Sequence, residues 1–186
     1  MIKFFHRGFL IAAMFFVGIT YTGAYFSDSV SSSGNTFTAG TSSHSDIVLN
    51  EIYANPPGTV EDLPMPGGEW IELYNKGAWS IDVSGWYLYD ALNAHDLQIT
   101  TSNVGGGSTV IPTHGYLAVY RNGDPDFSLN NGSETVRLLD GILGVGTLID
   151  SFNYSSTIED KTWSRIPNGT GAWSDNYTPT PGGPNA

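Results

Sequence analysis

Two runs near the middle of the chain, GEWIELYN at residues 68–75 and SGWYLYD at residues 84–90, alternate their side chains with a period of two. That period is the signature of a strand, in which neighbouring side chains point to opposite faces. Ile71 and Leu73 share one face, and Trp70, Glu72 and Tyr74 share the other. In the second run Trp86 and Leu88 stand opposite Tyr87 and Tyr89. The connection between them, residues 76–83, is polar. Two aromatic-rich strands this close in sequence predict a small all-β domain.

The rest of the chain extends that reading. Runs at residues 47–54, 95–100, 115–121, 134–140 and 147–154 read as further strands, with residues 163–167 as the last. The turn signals NGDPD, NNG and DG lie between them. No helical periodicity is sustained after residue 26. A length of 186 residues with 23 glycines suits one domain of strands joined by tight turns. Seven to nine short strands at this spacing predict an immunoglobulin-like β-sandwich over residues 46–186. The tail from residue 176 onward, rich in Pro and Gly, reads as an extended segment packed along the sandwich edge.

The first 25 residues differ in kind. Lys3 and Arg7 precede an apolar run at residues 8–19, and the small residues Thr22 and Ala24 follow. This is the pattern of a secretory signal-peptide helix, with cleavage near Ala24 or Tyr25. The alternative is a retained anchor, the only route by which this chain would engage a membrane. Residues 26–45 form a Ser/Thr/Gly-rich arm or linker, unable to bury enough surface to fold alone. Lys3 and Arg7 leave with the signal, so five of the seven Lys and Arg remain against 18 acids, a net charge of −13. Such a surface repels nucleic acid and anionic lipid. The chain has no cysteine, so a secreted form relies on its core alone.

Taken in order, NEI (residues 50–52), EWIELYN, SGWYLYD, IPTHGYLAVYR, LNNGSETVRLLD, LIDSFNY, TWSRIPNGTGAW and the terminal TPTPGGPN (residues 178–185) resemble the lamin-tail domain of bacterial and archaeal secreted proteins. The resemblance covers residues 46–185 and implies an immunoglobulin-like sandwich without a buried disulfide. It also implies a non-enzymatic module that binds or tethers at the cell surface. Eukaryotic relatives bind nuclear partners and DNA, which the acidic charge and the export signal argue against here. Residues 24–41, AYFSDSVSSSGNTFTAGT, resemble the signal-and-arm region of proteins processed by a SipW-type signal peptidase, among them camelysin-like and biofilm-fibre proteins. That resemblance implies export and a surface location.

No motif of a nucleophile, a zinc site or a phosphate loop is present. His95 and His114 sit beside turns and read as solvated. Glu51, Glu69 and Glu72 lie in or next to aromatic strands. They form either a carboxylate cluster or, on the reading preferred, groups that face outward or accept hydrogen bonds from loop backbone. Asp124, Asp126, Ser128 and Asn130 alternate oxygen donors as calcium loops do, but Leu129 stands where the sharp turn needs Gly and Thr135 where the bidentate acid belongs. Calcium is therefore the one candidate cofactor, and a weak one. Trp79 and Trp173, in turn-like contexts, and the nearby Tyr177 are candidate binding aromatics. Asn131, Asn153, Asn168 and Asn176 each begin an N-x-S/T triplet, a glycan acceptor only in a host with the machinery.

Three functions follow from these residues. The first is a secreted, non-enzymatic binding or tethering module with a cell-envelope or extracellular protein or polysaccharide partner. The second is a structural subunit of an extracellular fibre or biofilm matrix, self-associating through the arm. The third, a metal-dependent hydrolase, rests only on the acidic residues.

Overall fold

Successive antiparallel strands account for nearly all regular structure in the computed structural model, which describes residues 43–58, 60 and 63–186. The signal segment, the processing positions Ala24 and Tyr25, and the arm up to residue 42 lie outside the described residues. A short 3₁₀ turn, His44–Asp46, leads into β1 (Ile47–Tyr53) and β2 (Trp70–Asn75). Then come β3 (Ile81–Asp82), β4 (Tyr87–Tyr89), β5 (Asp96–Gln98), β6 (Val110–Ile111) and β7 (Tyr116–Tyr120). The last four strands are β8 (Glu134–Leu139), β9 (Leu148–Tyr154), β10 (Thr162–Ile166) and β11 (Ala172–Tyr177).

One sheet has the order β11-β10-β1-β2-β7, the other β5-β4-β8-β9, and β3 pairs with β6 as a small third ladder. The two large sheets bury one shared core, giving an immunoglobulin-like β-sandwich. Ile47, Leu49, Ile52, Ile71, Leu73, Leu117 and Val119 enter that core from the first sheet. Leu88, Leu97, Val136, Leu138 and Tyr154 meet them from the second. The alternation read in GEWIELYN holds: Ile71 and Leu73 point inward, and Trp70 and Glu72 point out.

A β-bulge in β1 decides what lies on the outer face. Leu49 pairs with Leu73 and Glu51 with Glu72, so Asn50 is the extra residue between them. The bulge reverses the side-chain parity of everything after it. Without it, Glu51 would share the core face with Ile47 and Leu49. With it, Ile52 turns inward and Glu51 lies opposite Glu72 on the outer face.

Two sequence expectations are corrected. WSRIP is not the last strand; AWSDNY adds β11 at the sheet edge. The tail does not run along an edge. Residues 178–185 cross the outer face as a strap over β1 and β2, the middle of the five-stranded sheet. Of the sheet edges, β7 is covered by the preceding loop through the Val104–Val119 bridge and the Tyr120 N–H bond to the Asn103 carbonyl. Among the described residues no strand pairs with the outer edges of β9 and β11.

Candidate functional site

Glu51 and Glu72 face each other across β1 and β2 under the strap, both 0% exposed. The Glu51 carboxylate accepts from Thr162 Oγ1 at 2.7 Å, Thr180 Oγ1 at 2.9 Å and the Thr180 amide at 3.2 Å. Glu72 accepts from Asn50 Nδ2 at 2.9 Å and from the consecutive amides of Gly182 and Gly183 at 2.7 and 3.2 Å. Gly182 lies at φ +80°, a conformation L side chains rarely adopt, at the turn where these two amides meet one oxygen. The bulge residue Asn50 ties the system together. Its amide also donates to Asn168 Oδ1, its Oδ1 accepts the Gly169 amide, and its carbonyl accepts Asn185 Nδ2 at 3.0 Å.

Burial raises the carboxyl of Glu72 to about 8; the Asn50 hydrogen bond opposes the shift and the neighbouring Glu51 adds to it. Burial likewise raises Glu51, against the hydrogen bond from Thr162. No lysine, arginine or histidine is among the hydrogen-bond partners given above. The pair is sealed from solvent and joined to backbone amides. Glu51 and Glu72 do accept loop backbone hydrogen bonds, as the sequence suggested, but they are not outward-facing in the sense of meeting water.

Glu69, also 0% exposed, serves a different region. It accepts from Arg121 Nη1 at 3.1 Å and from the Leu129 amide at 3.1 Å. It thereby fixes the loop that carries the calcium candidates. In that loop Asp124 Oδ1 accepts the amides of Asp126 and Phe127, both at 3.0 Å, closing an Asx turn. Phe127 and Leu129 bury themselves in the core. Asp126 is exposed, and the Asn130 side chain donates to Glu134. Among the described residues no group of three His, Asp or Glu is placed to hold a metal ion.

The candidate aromatics separate. Trp79 is 55% exposed in the connection after β2. Trp173 is not in a turn; it lies on β11, as does Tyr177. Trp173 stacks on Phe152 of β9 at 4.1 Å, with the Arg165 guanidinium 4.8 Å from its ring. It is half-buried and closes the side of the sandwich between two open edges. His95 is half-buried and bonded to the buried Asp90 at 2.9 Å, and His114 approaches Tyr74. Asn131, Asn153 and Asn176 are exposed, whereas Asn168 is engaged in the strap network.

One surface feature escaped the sequence reading. The β8–β9 hairpin presents Ile142, Leu143, Leu148 and, at 85% exposure, Val145. The loop is tied by hydrogen bonds within itself and to Tyr89. Val145 and Gly146 amides bond the Ile142 carbonyl at 3.0 and 2.8 Å, and the Leu143 amide bonds the Tyr89 hydroxyl at 3.0 Å. Gly141 and Gly146 approach so closely that a Cβ on Gly146 would lie 2.5 Å from the Gly141 nitrogen. His44 Nδ1 bonds Asp140 at the hairpin base at 2.7 Å and holds that carboxyl below its usual range. The Asp46 carbonyl accepts the Lys76 amide at 2.9 Å. The 3₁₀ turn therefore sits between the apolar hairpin and the connection bearing Trp79. The signal in the sequence was GILGVGTL, a glycine-punctuated aliphatic run with neither helical nor strand period.

A family model described as Lamin Tail Domain matches residues 40–156. Searches of curated proteins and of solved structures return no significant match. The matched segment contains β1 to β9, including both carboxylates, the bulge and the apolar hairpin. β10 and β11 complete the five-stranded sheet beyond it, and the strap lies over that sheet. With well over half its length matched, the chain belongs to the lamin tail domain family, a family of non-catalytic immunoglobulin-like domains.

Proposed function

We propose that this protein is a secreted binding or tethering module that attaches to a cell-envelope or extracellular partner through the β8–β9 hairpin. The observation that carries this reading is the pinned loop with four exposed aliphatic side chains. Exposed apolar groups on a rigid support lose little entropy on binding and mark interaction sites. Trp79, exposed on the connection that the 3₁₀ turn contacts, would supply an aromatic anchor. The export part of the reading rests on the N-terminal sequence. The non-enzymatic part is supported by the sealed state of Glu51 and Glu72, which leaves no room for substrate between the carboxylates and the strap. The test is capture of the protein on isolated cell walls. Ile142→Asp with Val145→Asp should abolish capture while leaving the fold intact; undiminished capture refutes the hairpin as the binding surface.

A second reading is favoured by the open edges of β9 and β11. A strand from the arm of a neighbouring copy would extend either sheet and build a fibre. Deleting residues 26–45 should then abolish polymer formation, read by sedimentation with and without calcium. An intact chain that stays monomeric at high concentration removes this reading.

A further inference from the structure

We infer that the protein carries a polar cleft that takes one neutral, hydroxyl-rich ring, the chemistry of a sugar. The cleft has a volume of about 280 Å³ and opens where β5, the loop after it and the turn after β7 converge. Pockets for drug-sized ligands begin at about 300 Å³, so this one holds a single small ring. It shares no residue with the β8–β9 hairpin, so it stands or falls apart from the capture proposed above.

The walls are fixed before any ligand arrives. The buried Asn103 side chain accepts the Thr100 amide at 2.9 Å and donates to the Gln98 carbonyl at 2.9 Å, which closes the loop on itself. Asn122 and Gly123 lie at φ +55° and +77°, two left-handed residues in succession at the centre of a tight turn. The Asp124 amide bonds the Arg121 carbonyl across that turn at 3.0 Å. The Asn122 side chain then ties the turn to the loop, donating to the Ser102 carbonyl at 3.2 Å. Walls joined in this way keep their spacing, and a preformed cleft loses little entropy on binding.

The groups that the walls leave uncommitted decide the ligand. Gln98 is exposed, and its side-chain amide has no partner among the described residues. Asp124 spends Oδ1 on the amides of Asp126 and Phe127, so Oδ2 remains as an acceptor. The exposed Ser102 hydroxyl meets Thr100 Oγ1 at 2.8 Å and has a further lone pair to offer. The buried Arg121, paired with Glu69 at 3.1 Å, also lines the cleft. A cation would meet that guanidinium, and an anion would meet the Asp124 carboxylate in a chain of net charge −11. A ring bearing adjacent hydroxyls suits the set, because each hydroxyl both donates and accepts. Its C–H face suits Leu97, the one apolar side chain in the lining. A ring without hydroxyls would strip water from Gln98 and Asp124 and leave them unpaired.

The test mixes the intact protein with glucose, galactose, mannose or N-acetylglucosamine at about 10 mM and reads saturation transfer by nuclear magnetic resonance. At least one sugar should bind with a Kd of about 1 mM, the range open to a ring of about a dozen heavy atoms. Gln98→Ala should weaken that binding about tenfold. Ser102→Phe, which fills the cleft, should abolish it. Both positions are exposed, so the circular dichroism spectrum should stay as in the parent. Displacement of the bound sugar by isolated wall polysaccharide upholds the cleft as a site for one unit of a polymer. Binding without displacement upholds it as a site for a free sugar. Silence from all four sugars overturns the inference, and so does binding that Gln98→Ala and Ser102→Phe leave unchanged.

Discussion

Beneath the strap, two carboxylates lie sealed among amides and hydroxyls, while at the end of the sandwich four aliphatic side chains of the β8–β9 hairpin face water. Polarity is inverted in both places, and for different reasons. The acidic groups are inside because they connect elements that a purely apolar face could not connect: a bulged strand, a neighbouring strand and the tail. The apolar groups are outside because glycine contacts and local hydrogen bonds fix their loop, so its shape does not require their burial. Buried acid here marks structure, and exposed hydrocarbon marks the surface proposed above for a partner.

The strongest way to break this comparison is at the buried carboxylates. Glu69→Ala removes the carboxylate 3.1 Å from the buried Arg121 and from the Leu129 amide, and should cost about 3–5 kcal/mol in urea unfolding. A loss below about 1 kcal/mol would mean that the buried charge contributes little to the fold. Asn185→Ala removes the donor to the bulge carbonyl of Asn50 and to the Arg165 carbonyl. It should cost about 1–3 kcal/mol by the same measurement. Gly146→Ala forces a methyl against the Gly141 backbone and should cost about 1–3 kcal/mol. It should also weaken envelope capture by deforming the hairpin. Ile142→Asp with Val145→Asp should change stability by no more than about 0.5 kcal/mol per site while removing capture. Stability loss from the hairpin pair, or capture loss from Asn185→Ala, would erase the distinction between the two regions.

Much of the sandwich was legible because strands with one face in a core alternate, and GEWIELYN, GYLAVYR and ETVRLLD do so. β11 was not, because AWSDNY contains no β-branched residue and lies on an edge where half its side chains meet water. The bulge had a visible trace. Hydrophobic residues at 47 and 49 are followed by one at 52, a slip in parity that only an inserted residue reconciles with one continuous strand. The carboxylate network had no such trace, since apart from Asn50 its donors to Glu51 and Glu72 lie 110 and more positions away in the chain. TPTPGGPN lies beyond the residues that the family model matches, and its physical task, to bring amides onto two acids, emerges only from the contacts. The apolar hairpin was passed over as a turn because its DG signal dominated the aliphatic residues that follow.

The strap also sets an order of events for a chain made from its N-terminus. β1 and β2 can pair early, yet Glu72 meets Gly182 only across 110 positions and Asn50 meets Asn185 across 135. Until residues 180–185 arrive, the outer face carries two hydrated acids and an unpaired bulge carbonyl. A prematurely ended copy would therefore carry a persistent sign of its incompleteness, written as exposed charge in the middle of a sheet.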